Sequence, residues 1–393
     1  MMKWLLRCLV IVACAAGPAL AQDEFSQAGN RFGWDLYQHL RSRPGNLVVS
    51  PFSINTALLM LDAGAAGPTA EQMQATLQIP SMQPVALAAA AGKAMRSLET
   101  GPGNQYELRI ANAVWIRQGF VLLPSYLDLL HNDFTADAKP ANFADPEGAA
   151  KQINDWVGQQ TENRITNLIS PGQIPSDARL ALVNAVYFKG SWTSPFEAEL
   201  THQAPWHLPD GSVAPKSANM MHQHGEFEFF EDDHLAALQM PYAGDRLGML
   251  AILPAGNLDE LEKSLNADEL DRLVGRLNLR SVNVAFPKFT LRNHLELNQP
   301  LTDMGMTDAF TNAADFSGMD GRRDLAVSSV MQAGFVQVDE TGTEAAAASG
   351  GIMRPTAVMV SSTFNADHPF LFIIRDLKTG TILFMSRVDD PTD

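Results

Sequence analysis

One stretch near the C-terminus, residues 339–363, constrains the fold more than any other part of the 393-residue chain. It contains four consecutive alanines at 345–348, three glycines and no aromatic residue, so it has no pattern for packing into a core. A loop of this length in a globular chain is usually functional or disordered. Because it lies between a predicted strand, Phe335–Val338, and the segment Phe364–Phe370, it belongs to the domain itself.

The first half of this stretch has the properties of a strand that can enter a sheet. Under strand alternation, the residues that share one face are small and uncharged: Thr343, Ala345, Ala347 and Ser349. Glu344 falls on the opposite face. No proline lies between Thr341 and Met353, so every backbone amide there can donate, as a central strand requires. These features predict a latent strand that would span about 45 Å from Thr343 to Thr356.

The rest of the chain mixes predicted helices and strands without regular βαβ alternation. Apolar residues at helical spacing predict a first helix over 25–40, and Ser50 followed by Pro51 predicts the start of a second. The nearly continuous apolar run Leu180–Phe188 predicts a strand buried on both faces. Asn184, in its middle, must then have fixed hydrogen-bond partners. This mixture predicts an α+β fold, and no linker or repeat divides the chain.

The N-terminus has the pattern of an export signal. Lys3 and Arg7 precede an apolar run over 8–16, and Ala19-Leu20-Ala21 follows as a small-x-small cleavage site. This pattern predicts a signal peptide over residues 1–21, followed by a single domain over 22–393, and a secreted protein, extracellular or periplasmic. Small residues before Cys14 leave a lipoprotein signal as the alternative. Both cysteines, Cys8 and Cys14, lie in this segment, so the mature chain would have neither disulfides nor thiolates.

The charge and the missing motifs exclude several classes of function. Acidic residues number 44 against 28 basic ones, a net charge of −16, so nucleic acid and anionic membranes are poor partners. No GxSxG, HExxH or phosphate-binding loop is present, and an enzyme is not expected. His222 and His224 would share a strand face, but two histidines without a third ligand do not predict a metal site. No cofactor is predicted.

Several widely separated motifs resemble those of the serpins, a family of serine protease inhibitors. The resemblance covers essentially all of the predicted mature chain, and the motifs occur in the family's order. They are Asn46–Ile54, Gly64–Gly67, Asn184–Trp192, Phe286–Phe289, Leu301–Met306, Ala314–Ser317, Glu340–Ala348 and Phe364–Phe370.

The resemblance implies one domain with three β-sheets, about nine helices and an exposed reactive loop at about 340–363. In this family a protease attacks one loop carbonyl, and the cleaved loop inserts into the central sheet and traps the acyl-enzyme. The hinge of this loop comprises Glu340, Thr341, Gly342, Thr343, Glu344, Ala345, Ala346, Ala347 and Ala348. Its inserting face has no bulky, charged or proline residue, which favours an inhibitor over a non-inhibitory serpin-fold binding protein.

The family's spacing also implies a reactive bond. The residue before this bond usually lies sixteen positions after the hinge glutamate, and counting from Glu340 gives the bond Thr356–Ala357. Such small side chains suit an elastase-like or subtilisin-like protease. Arg354 would suit a trypsin-like protease, but Pro355 follows it, a poor geometry for cleavage. The alternatives that remain open are Arg354, Ala357, Val358 and Met353.

The resemblance further implies a region where the sheet opens to admit the loop. The residues that match it are Ser50, Ser53, Asn184, Gln332 and Trp192. Many serpins have histidine at the position of Gln332, and glutamine can still form hydrogen bonds there but does not titrate. The expected partner is a serine protease, with a cysteine protease as the alternative. Residues 81–100 contain only Lys93 and Arg96 as basic groups, so no heparin-type cofactor is expected, and the protein is expected to be a monomer.

Overall fold

The computed structural model of the protein describes residues 18–79, 84–99, 105–208, 216–343 and 361–392. These ranges contain ten α-helices: α1 Pro18–Leu40, α2 Pro51–Asp62, α3 Gly67–Thr76, α4 Pro84–Leu98, α5 Pro124–Phe134, α6 Pro146–Gln160, α7 Leu258–Ser264, α8 Ala267–Val274, α9 Asn298–Asp303 and α10 Ser317–Asp320. None of the helices in these ranges is both long and apolar enough to cross a membrane.

The same ranges contain fifteen β-strands, which form two hydrogen-bonded sheets. The strands are β1 Leu47–Val49, β2 Tyr106–Arg117, β3 Asp137–Ala141, β4 Leu180–Ser191, β5 His202–Trp206, β6 Lys216–Glu231, β7 Leu235–Pro241, β8 Leu247–Pro254, β9 Asn278–Pro287, β10 Phe289–Glu296, β11 Val327–Asp339, β12 Gly342–Thr343, β13 Ser362–Asn365, β14 Phe370–Asp376 and β15 Ile382–Val388. The α+β prediction is confirmed.

The six-stranded sheet has the order β10-β11-β12-β4-β2-β3. β4 lies in its interior, and the apolar run predicted to be buried on both faces is buried from Leu180 to Phe188. Its neighbours differ in direction, because β2 is antiparallel to it and β11 is parallel. A parallel pair that is distant in sequence depends on the rest of the fold to bring its strands together.

The nine-stranded sheet explains why the structure has two hydrogen-bonded sheets where the resemblance implied three. The 16-residue strand β6 pairs with β5 through its first residues, with β9 through its middle and with β7 through its last residues. One long strand therefore joins two groups of strands into a single hydrogen-bonded sheet. β13, which follows the reactive loop, lies at one edge of it, parallel to β9.

Two apolar clusters form the core of the described residues. The larger one includes α1, α2 and both sheets, and the smaller one lies between α6 and the six-stranded sheet. The predicted first helix is present, although α1 begins at Pro18 and continues through the predicted cleavage position before Gln22. The predicted start of α2 is also present: Pro51 is its first residue, and the Ser50 side chain accepts a hydrogen bond from the Ser53 amide.

The hinge and the sheet seam as the candidate functional site

The candidate site is the contact between β4 and β11, which we call the seam. In the lower seam the two strands pair directly, from Leu180–Val327 to Tyr187–Phe335. In the upper seam they separate, and β12 lies between them. β12 is the start of the predicted hinge, so two residues of the hinge occupy the position of an additional strand.

Gly342 and Thr343 pair with both neighbouring strands in antiparallel register. Thr343 lies opposite Val338 of β11 and Gly190 of β4, and it is fully buried. Gly342 has a φ of 153°, a conformation that L side chains rarely adopt. A Cβ atom there would lie 2.0 Å from the carbonyl oxygen of Gly190. Glycine at 342 therefore lets the hinge enter the sheet this close to β4.

A cluster of aromatic residues lies beside Thr343. The hydroxyls of Thr343 and Tyr242 are 2.8 Å apart and hydrogen-bonded. The Tyr242 ring stacks on Trp192 with ring centroids 4.6 Å apart and meets Phe188 edge to face. Burial raises the pKa of the Tyr242 phenol well above its usual value. The phenol is therefore neutral, and it can either donate or accept the hydrogen bond.

Trp192 also contacts the chain that leads into the hinge. Its backbone amide donates to the Thr341 carbonyl at 2.9 Å, and its indole Nε1 donates to the Asp339 carbonyl at 3.1 Å. The carboxylate of Asp339 in turn accepts hydrogen bonds from the amides of Thr341 and Gly342. The turn between β11 and β12 is therefore held by hydrogen bonds on both sides.

The side chain of Glu340, the first hinge residue, binds two residues outside β4 and β11. Its Oε2 lies 2.7 Å from Lys288 Nζ, between β9 and β10, and its Oε1 accepts a hydrogen bond from Thr201 at 2.8 Å. Burial alone would raise the pKa of the Glu340 carboxyl, but the hydrogen bonds, first of all that from Lys288, outweigh it and lower the pKa. The carboxylate is therefore charged at neutral pH.

Polar side chains cross the lower seam at one level. Asn184 of β4 lies directly opposite Gln332 of β11 and Asn112 of β2. Gln332 Nε2 donates to Asn184 Oδ1 at 2.8 Å, and Asn184 Nδ2 donates to Asn112 Oδ1 at 2.5 Å and to Ser53 Oγ. Three amides on three adjacent strands thus form one buried network, and Asn184 has the fixed partners that its burial requires.

Ser50, at the start of α2, adds further hydrogen bonds to this network. The Ser50 amide donates to Gln332 Oε1 at 3.2 Å, and the Ser50 hydroxyl donates to the Leu383 carbonyl of β15 at 2.6 Å. Ser50, Ser53, Asn184 and Gln332 are all buried. The structure therefore brings these four predicted residues together, whereas Trp192 lies apart from them, at the upper seam.

The remaining predicted site residues lie outside the described part of the chain. They are Glu344, Ala345, Ala346, Ala347 and Ala348 of the hinge, and Met353, Arg354, Thr356, Ala357 and Val358 around the predicted reactive bond. The described chain resumes at Ser361, whose hydroxyl accepts a hydrogen bond from Asn283 of β9 at 2.8 Å.

Four residues of the site were not predicted from the sequence: Tyr242, Lys288, Thr201 and Asn112. Tyr242 and Lys288 are distant in sequence from the hinge, and no local pattern connects them to it. Lys288 does lie in one of the family motifs, Phe286–Phe289, which was the one available signal. Among the described residues, no group of three or more His, Cys, Asp or Glu side chains could hold a metal ion.

Comparisons with known proteins agree with this fold. The family model for serpin (serine protease inhibitor) matches residues 27–391. An uncharacterised serpin-like protein of Thermococcus kodakarensis is 41% identical, over 93% of this chain and 85% of its own. Mouse leukocyte elastase inhibitor A is 37% identical, over 94% of this chain and 100% of its own. Crystalline human thyroxine-binding globulin with its hormone superposes with a TM-score of 0.87 at 26% identity, covering 95% of this chain and 100% of that one.

The chain therefore belongs to the serpin family. Serpins are protease inhibitors rather than catalytic enzymes, though some family members are non-inhibitory. The elastase inhibitors among the relatives support protease inhibition and a serine protease as the partner class.

The same comparison overturns the prediction of a secreted protein. The leukocyte elastase inhibitors of mouse, human, pig, frog, cow and horse all align over 100% of their length. They are intracellular serpins without signal peptides, so the prediction of secretion is wrong. An apolar run followed by small residues describes composition and does not establish cleavage. Residues 1–17 lie outside the described part of the chain.

Proposed function

We propose that the protein is a suicide-substrate inhibitor of a serine protease that accepts small side chains, with Thr356–Ala357 as the reactive bond. The serine hydroxyl of the protease attacks the Thr356 carbonyl, forms an ester and releases the amine of Ala357. The freed loop then adds residues to the seam from Thr343 onward and carries the protease with it before water hydrolyses the ester. Loop insertion of this kind is an established serpin case of strand addition and strain release.

The observation that carries this proposal is the position of Gly342 and Thr343 between β4 and β11. Because these residues already pair with both strands, insertion continues an existing strand. The next residues on the same face are small and uncharged, at 345, 347 and 349. Such side chains can be buried without leaving an unpaired charge in the core.

The target class rests on two further observations. Thr356 and Ala357 have small side chains, which fit a protease pocket that excludes large ones. Relatives aligned over their whole length are named leukocyte elastase inhibitors. A second candidate is a non-inhibitory binding protein, because thyroxine-binding globulin with its hormone is among the similar structures. The small-residue hinge favours inhibition over this second candidate.

Incubation with a panel of purified proteases tests the proposal. The panel is pancreatic elastase, subtilisin, trypsin and papain, and each mixture is resolved on a denaturing gel. We expect an SDS-stable complex with elastase or subtilisin, and mass spectrometry of the released peptide should place the cleavage after Thr356. Clean loop cleavage by all four proteases without a complex would exclude the inhibitory function and favour the binding protein.

Stability after loop cleavage gives a second test that needs no complex. A non-target protease that cuts the exposed loop lets the loop insert, and each inserted residue adds backbone hydrogen bonds on both sides. We therefore expect the cleaved protein to melt well above the intact one. Equal melting temperatures of the two forms would mean that the loop does not insert.

A further inference from the structure

Among the described residues, the hydrogen-bond partner of the Tyr242 hydroxyl is Thr343 of the hinge. The Tyr242 ring is fixed by stacking on Trp192 and by the edge contact with Phe188. Gly190 leaves the space for it, since a Cβ atom there would lie 3.0 Å from the Tyr242 ring. The hydroxyl of this fixed ring meets the Thr343 hydroxyl at 2.8 Å, with both residues fully buried.

We infer that Tyr242 is a positioning residue for loop insertion: its hydrogen bond to Thr343 holds the hinge in the upper seam before any protease arrives. The inference rests on the proposed function and deepens it. It identifies the residue that keeps the first inserted strand residues in place, so that cleavage is followed by extension of a strand rather than by its initiation.

The backbone hydrogen bonds of Gly342 and Thr343 leave a side-chain hydrogen bond with a decisive part in holding the hinge. Only Gly342 and Thr343 pair in the described part of the hinge, and ordering each residue costs about as much as the hydrogen bonds it gains. The inserted and released positions of Gly342 and Thr343 are therefore close in free energy. One buried side-chain hydrogen bond shifts an equilibrium of this kind roughly fivefold.

The consequence appears after cleavage rather than during docking. The acyl-enzyme either becomes trapped by insertion or is hydrolysed by water, and the stoichiometry of inhibition measures this partition. Loss of the Tyr242 hydrogen bond slows insertion and leaves hydrolysis unchanged. Docking depends on the loop around Thr356, so the association rate constant should stay within about twofold.

The experiment compares the intact wild type with Tyr242→Phe, Thr343→Val and the double variant. Each single change removes one hydroxyl of the bonded pair and keeps the side-chain shape. The matched control is Tyr126→Phe, because Tyr126 is also buried, and its hydroxyl donates to the Met60 carbonyl at 3.0 Å, away from the hinge. Elastase and subtilisin are the proteases used.

Two measurements are made on each variant. Hydrogen exchange of the intact proteins reports how often the hinge leaves the sheet, and we expect about fivefold faster exchange of the Gly342–Thr343 amides in Tyr242→Phe. Titration of protease reports the stoichiometry of inhibition, which should rise severalfold in both single variants and no further in the double variant. Tyr126→Phe should lower the melting temperature and change neither measurement.

Three results would overturn the inference. They are unchanged hinge exchange in Tyr242→Phe, an equal rise in stoichiometry in Tyr126→Phe, and additive effects of the two single changes. If the wild type forms no complex with either protease, the proposed function fails, while the exchange measurement still decides whether Tyr242 holds the hinge.

Discussion

The upper and lower seam differ in what lies between β4 and β11. In the lower seam the strands pair directly with each other, and Asn184 and Gln332 bond across the contact. In the upper seam the hinge separates them, and Gly342 and Thr343 pair with both. One pair of strands therefore shows the closed arrangement and the inserted arrangement at the same time.

This difference indicates which part of the seam would have to separate during the proposed insertion of the loop. The upper seam needs no separation of strands, because the hinge already occupies it. In the proposed mechanism, each residue inserted beyond Thr343 would replace direct pairing between β4 and β11, and the buried Asn184–Gln332 hydrogen bond would break. The bonds that hold the upper seam therefore keep the hinge in place, whereas those of the lower seam resist further insertion.

The largest expected effect is that of a charge in the upper seam. Thr343→Arg would bury an unpaired guanidinium, which costs several kcal/mol. We expect the hinge to leave the seam and the protein to become a substrate, with more than about ten molecules cleaved per protease trapped. The matched control is Glu344→Arg, at the next position, which strand alternation assigns to the opposite face. Unchanged inhibition in Thr343→Arg would contradict the insertion of this residue.

The next effect concerns the lower seam. Asn184→Ala removes hydrogen bonds to Ser53, Asn112 and Gln332, so the buried Ser53 hydroxyl and Asn112 carbonyl oxygen lose their donor. We expect the free energy of unfolding, measured with urea, to fall by about 3 kcal/mol. Asn132→Ala, at an exposed position of α5, is the control and should change it little. A loss below about 1 kcal/mol would mean that the network does not hold the lower seam.

The lower seam was partly predictable from the sequence because its signals are local. Continuous apolar residues over 180–188 indicated a buried strand, and an amide inside such a strand requires partners. The identity of the partners was not predictable, since the contact of Asn184 with Gln332 and Asn112 depends on the register of three strands distant in sequence.

Less of the upper seam could be predicted from the sequence. The alternation of small residues identified a segment able to insert, but not that its first two residues are already in the sheet. Tyr242, which is hydrogen-bonded to Thr343, and Lys288, which pairs with Glu340, lie on other elements that only the fold brings close to the hinge. The single nine-stranded sheet that β6 forms was not predicted for a similar reason. The sequence pattern of a strand does not show which other strands pair with that strand.

The next prediction concerns the pH dependence of stability, which should reflect Asp62, a titratable residue of α2. Burial raises the pKa of the Asp62 carboxyl to about 6, against an opposing hydrogen bond from Gln74. Because this pKa lies above the usual value of 3.8, the protonated form stabilises the fold below pH 3.8, and this stability is lost as the pH rises through 6. Asp62→Asn, which stays neutral, should therefore raise the free energy of unfolding at pH 8 by up to about 3 kcal/mol.

Urea unfolding at several pH values checks this prediction. The difference between Asp62→Asn and the wild type should shrink as the pH falls and be absent below about pH 4. A difference that is the same at pH 4 and pH 8 would mean that the substitution acts through packing. Inhibition should be unchanged, because Asp62 touches neither the hinge nor the amide network.

The smallest expected effect is that of the ion pair in the upper seam. Lys288 is about one third exposed, so water and salt screen its attraction to Glu340, and Lys288→Gln should lower the free energy of unfolding by less than about 1 kcal/mol at pH 7. The pKa of Glu340 is lowered, so its contribution to stability is present above the usual pKa of 4.5 and is lost as the pH falls through the lowered pKa. The difference should therefore disappear in acid and shrink in 1 M salt. A loss that persists in acid would mean that Lys288 stabilises the upper seam by packing rather than through its charge.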